Sequence, residues 1–149
     1  MNIFKLTSNK AFLLYTIINL VCTGAGMGIP IFNIAFGLVV GWYLVRRNLL
    51  YTKENNILLH KLMINGFITS MVTLIFMLLI WGWSVSFLWD KSEKILNFGI
   101  PMLLYQPKAS LIGWLVLMII ISPFLQFLLI IFSGHLTFLF YYKKQFRNM

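Results

Sequence analysis

The chain has 149 residues, enough for one domain, and is 60% hydrophobic with only 10% charged residues. A soluble domain carries about 25% charged residues, so too little polar surface exists here to cover a water-facing fold. The +9 net charge would suggest nucleic acid in a soluble protein. Here the twelve Lys and Arg residues stand at the ends of apolar runs, which is the pattern that orients membrane helices, and nucleic acid is not an expected partner. A single cysteine, Cys22, excludes an internal disulfide and dithiol redox chemistry.

Residues 1–22 pair Lys5 and Lys10 with an apolar run, as a signal peptide does. Another apolar segment follows at once, so an uncleaved first helix over residues 9–23 is expected. Gly24, Gly26 and Gly28 then permit a tight turn, and Pro30 suits the first turn of a second helix over residues 30–46. Both helices are short for the roughly 30 Å hydrocarbon core, which leaves two spans or a re-entrant hairpin open.

Arg46 and Arg47 stop the second helix. Thr52 and Glu54 suit the start of a third, with its apolar span over residues 62–82. Trp81, Trp83 and Trp89 mark the far interface. Residues 90–108 form the longest connection, interrupted by Gly99 and Pro101, and are expected to lie in the interface. The triplet Gly99-Ile100-Pro101 repeats Gly28-Ile29-Pro30, too short a match to establish a duplicated hairpin. The fourth helix, over residues 109–140, is long enough to require tilt or a bend at Pro123.

Nine basic residues fall on the side of both termini (Lys5, Lys10, Arg46, Arg47, Lys53, Lys61, Lys143, Lys144 and Arg147), against Lys91, Lys94 and Lys108 on the other. The expected fold is therefore an all-α membrane protein: four transmembrane helices in two hairpins forming one bundle, with both termini cytoplasmic. The spans and charge count give a multi-pass plasma-membrane location, and the abundance of Ile, Asn and Lys hints at an AT-rich prokaryotic genome.

Polar and small residues inside the spans recur every four positions. Asn19 and Thr23, then Asn33, Gly37 and Gly41, then Asn65, Thr69 and Thr73, then Ser122 and Gln126 with Ser133 and Thr137 each occupy one helix face. Gly37 and Gly41 form a small-x-x-x-small pair that admits a neighbouring backbone. Hydrocarbon cannot satisfy these polar groups, so the four stripes are expected to face inward, as helix glue or as a polar groove.

Candidate chemistry is sparse. His60 and His135 share a depth near the cytoplasmic interface and are the candidates for a two-histidine haem or metal site. The plainer reading is two headgroup-level polar residues, and no cofactor or metal is expected. In size and helix count the chain resembles small multidrug-resistance carriers, which depend on an intramembrane glutamate; Glu54, Asp90 and Glu93 all stand outside the spans. The leading expectation is a non-enzymatic accessory or partner-binding subunit. Its partners would be a bilayer with anionic headgroups at the cytoplasmic face and a membrane protein or second copy. The alternatives are an oligomeric channel or carrier lined by Asn33, Asn65 and Gln126, and an enzyme or haem protein using His60 and His135.

Overall fold

A computed structural model describes residues 4, 6–25, 30–52, 54–89 and 107–147. The regular elements among the described residues are all helices, with no strand: α1 (Ser8–Ala25), α2 (Ile31–Asn48), α3 (Asn55–Trp89), α4 (Pro107–Val116) and α5 (Ser122–Arg147). A π-helical turn, Leu117–Ile121, joins α4 to α5, so the last two helices run as one and the bundle has four rods.

The π turn stands directly before Pro123, where a bend is expected from sequence. Proline supplies no N–H to the carbonyl four residues earlier, Ile119, and its ring crowds that carbonyl. A wider turn accommodates both effects and leaves Met118, Ser122 and Pro123 buried.

Among the described residues two stretches are long and apolar enough to cross a membrane, Asn55–Gly82 and Ile112–Lys143. The first two rods are not. At 18 residues each they reach about 27 Å at 1.5 Å per residue, and Lys10 and Arg46 to Arg47 occupy part of that length. Gly24 differs from expectation too. It lies in the last turn of α1 rather than in the connecting turn, and is exposed. Pro30 is buried at the N-terminal boundary of α2, where its carbonyl accepts from the Ile34 N–H at 3.1 Å. Gly26, Gly28, the Gly99-Ile100-Pro101 triplet and the 90–106 connection lie outside the described residues.

The basic residues gather at one end. Arg47 Nη2 donates to the Leu6 carbonyl at 3.1 Å, and Tyr142 Oη donates to Asn55 Oδ1 at 2.6 Å. Phe4 stacks on Tyr43 with ring centres 5.7 Å apart. The start of α1, the end of α2, the start of α3 and the end of α5 are thereby neighbours, which brings Lys10, Arg46, Arg47, Lys61 and Lys143 to one end of the bundle. An apolar core lies just inside this end, built from Ala11, Tyr15, Val40, Leu44, Leu58, Leu62 and Ile130.

The tightest pairing is α2 on α5. A β-carbon at Gly37 would stand 2.7 Å from the Gln126 carbonyl oxygen, and one at Gly41 would overlap the Ile130 carbonyl. Ser133 Oγ adds a hydrogen bond to the Leu38 carbonyl at 2.5 Å. Gly66 and Gly134 perform the same service between α3 and α5, where a β-carbon would meet Ile130 Cγ2 at 3.1 Å and Leu62 Cδ2 at 2.5 Å respectively.

Candidate functional site

The centre of the bundle is polar. Asn19, Asn33, Thr73, Ser122 and Gln126 are each 0% exposed, and Thr23 and Thr69 are buried beside them. Helical spacing of four puts Asn19 above Thr23, and Thr69 above Thr73, on faces that meet α5. Their hydroxyls begin by satisfying themselves: Thr23 Oγ1 donates to the Asn19 carbonyl at 2.8 Å and Thr69 Oγ1 to the Asn65 carbonyl at 2.7 Å. Such bonds to the preceding turn leave the side-chain amides to find partners on other helices.

They do so in a closed ring across α1, α3 and α5. Asn19 Nδ2 donates to Thr73 Oγ1 at 2.6 Å, Thr73 Oγ1 donates to Gln126 Oε1 at 2.7 Å, and Gln126 Nε2 donates back to Asn19 Oδ1 at 2.7 Å. The Thr69 carbonyl, 3.1 Å from Thr73 Oγ1, is a second acceptor for the same hydroxyl. Each group in the ring both donates and accepts, so the bonds polarise one another in the same sense.

A separate link ties α2 to the first turn of α5. Asn33 Nδ2 donates to Ser122 Oγ at 2.6 Å, and Asn33 Oδ1 is buried with no hydrogen-bond partner among the described residues. Ser122 reaches this position because it follows the π turn.

Asn65 behaves differently from its stripe. It is half-buried, its Nδ2 donates to the Lys61 carbonyl at 2.8 Å, and it lines an open groove beside α1 instead of the central ring. Asn33, Asn65 and Gln126, read from sequence as one possible solute path, therefore belong to three separate environments within a single chain. His60 and His135 are both exposed, and among the described residues no three His, Cys, Asp or Glu side chains gather as a metal site. Gly66 escaped the sequence reading although a signal was present, since Gly66 and Ser70 are themselves a small-x-x-x-small pair.

Outside, the chemistry inverts. Leu13, Ile17 and Val21 on α1, Phe32, Val39 and Trp42 on α2, Phe67, Ile75 and Leu79 on α3, and Phe124, Phe132 and Phe140 on α5 are all exposed. No family model matches the chain, and no curated protein or solved structure matches it either.

Proposed function

We propose that this protein is a multi-pass integral membrane protein whose four rods all lie in the bilayer with both termini cytoplasmic, and that it works as a non-catalytic, partner-binding subunit of a membrane assembly. The observation carrying the reading is the inverted distribution of polarity. Amides and hydroxyls are buried and bonded to one another, while large apolar side chains form the outer coat on every rod. In water that coat would aggregate; in lipid it is the solvated surface, and the polar interior is what helices without a hydrophobic driving force use to associate.

The gathering of Lys10, Arg46, Arg47, Lys61 and Lys143 at one end supports the cytoplasmic placement of that end. The short first hairpin fits if the bilayer thins around it or the flanking cations snorkel. The closed ring supports a structural role for the interior, since Gln126 bonds its side-chain amide to Asn19 and Thr73. What remains to interact is the apolar exterior, the surface on which a second membrane helix docks.

Two experiments test this. In a Cys22→Ser background, cysteines at Asn9 and Asn56 should react with a membrane-impermeant maleimide only after the cytoplasmic side is opened; labelling of either in intact cells overturns the orientation. Cross-linking followed by purification in mild detergent should recover a stoichiometric membrane-protein partner. Purification alone, with turnover or solute flux by the isolated chain, overturns the subunit reading. Flux that survives Gln126→Leu but is lost with Asn33→Leu would favour the carrier alternative.

A further inference from the structure

The lateral groove between α1 and α3 is unlike the rest of the outer coat. It encloses about 530 Å³ and is lined on α1 by residues 8 and 9, 12 and 13, and 16 and 17, repeating every four along one face, with Asn65 opposite on α3. The lining is graded along the helix axis. Ser8 and Asn9 stand at the basic end, Phe12, Leu13 and Ile17 make the wall further in, and Thr16 lines it too, its buried hydroxyl without a hydrogen-bond partner among the described residues.

Charge is placed at the polar end only. Lys10 adjoins Asn9, and Lys61 stands one helical turn before Asn65 on α3; both lysines are exposed. The one acid among the described residues, Glu54, is exposed and stands before the start of α3, seven positions ahead of Lys61. The first turn of α1 adds backbone N–H groups that have no acceptor within the helix and whose dipole favours an anion. A recess with cations and donors at the headgroup level and a methylene-lined wall running toward the bilayer centre matches an amphiphile with an anionic head. A zwitterionic choline lipid brings its own cation and gains less from the two lysines.

We propose that this groove binds one anionic phospholipid from the cytoplasmic leaflet, with its phosphate at Ser8, Asn9, Lys10 and Lys61 and an acyl chain along Phe12, Leu13 and Ile17. The inference rests on the membrane reading above. The test uses the full-length chain in nanodiscs of phosphatidylcholine, with and without phosphatidylglycerol, released into the gas phase for native mass spectrometry. One phosphatidylglycerol should be retained in preference to phosphatidylcholine. The double variant Lys10→Gln with Lys61→Gln should bind it roughly 25-fold more weakly, about fivefold per lysine. Lys143→Gln, exposed at the same end but outside the groove, should retain it as the wild type does. Thr16→Phe, which fills the recess, should lose phosphatidylglycerol although Lys10 and Lys61 are both retained.

Equal retention of the two lipids, undiminished binding by the double lysine variant, or an equal loss in Lys143→Gln would each overturn the site and leave the membrane reading standing. Extraction of the wild-type chain from membranes by alkaline carbonate would overturn both.

Discussion

Along one side of α5, Gly37 and Gly41 of α2 press against the Gln126 and Ile130 carbonyls; along another, the Gln126 side chain reaches to Asn19 and Thr73. The first contact is made by the absence of side chains and the second by their polar ends. Neither relies on the burial of large apolar groups that drives association in water; under the proposed membrane placement lipid would solvate those groups as well as a protein interior does. The two differ in how they yield to change. At the glycine seam the obstacle to any added atom is backbone, which moves only if a whole helix moves. In the ring, a lost partner leaves groups that can turn to other acceptors, such as the Thr69 carbonyl already 3.1 Å from Thr73.

The seam should therefore be the more fragile region. Gly41→Leu places a β-carbon on the Ile130 carbonyl and 3.0 Å from the Gly134 nitrogen, so α2 and α5 must separate. The expected loss is about 3 kcal/mol or more, at or beyond the top of the usual range of about 1–3 kcal/mol for overpacking. It should appear as failed accumulation or a large fall in melting temperature in a fixed detergent. Gly113→Ala is the control, since nothing lies within 4 Å of a β-carbon there; it should be neutral or stabilise by up to about 1 kcal/mol through helix propensity. A Gly41→Leu protein that melts with the wild type would remove the seam from the argument.

The ring should respond less steeply. Gln126→Leu removes two interhelical hydrogen bonds, each worth about 0.6 kcal/mol on average in a bilayer protein and up to about 1.7, so roughly 1–3 kcal/mol is expected. Asn19→Leu should cost a similar amount. Combining the two should cost less than their sum, because the first change already breaks the shared bond. Strict additivity in this cycle, measured by the same melting assay, would mean that Asn19 and Gln126 do not act as one unit.

How far these features could be read in advance depends on their range along the chain. The stripes were legible because a helix returns to the same face every four residues, which aligns Asn33 with Gly37 and Gly41, and Ser122 with Gln126. Their pairing was not, since Asn19 and Gln126 are 107 positions apart and nothing local says which stripes will meet. Asn65 shares its spacing with Thr69 and Thr73 yet serves the lateral groove, because a short bond to the Lys61 carbonyl already satisfies its amide. Pro123 marked a disturbance correctly in place. Its form, a π turn that sets Ser122 against Asn33, depends on the packing of the neighbouring rods.

Asn33 makes the sharpest and smallest test. It offers one hydrogen bond to Ser122 and carries a buried Oδ1 with no partner among the described residues. The bond contributes about 0.6 kcal/mol, and an unsatisfied buried acceptor costs about 1–3 kcal/mol in mutational terms. Leucine deletes both at nearly the same volume. Asn33→Leu should then change stability by less than about 0.5 kcal/mol or raise it, whereas Ser122→Ala, which removes the bond and leaves the whole amide without partners, should destabilise. The order Gly41→Leu, Gln126→Leu, Ser122→Ala, Asn33→Leu, from most to least harmful, is what a bundle held by a rigid seam and an adaptable ring requires. If Asn33→Leu proves worse than Gln126→Leu, Oδ1 has a partner beyond this chain, a bound water or a solute, and the amide belongs to a binding site instead of the helix packing.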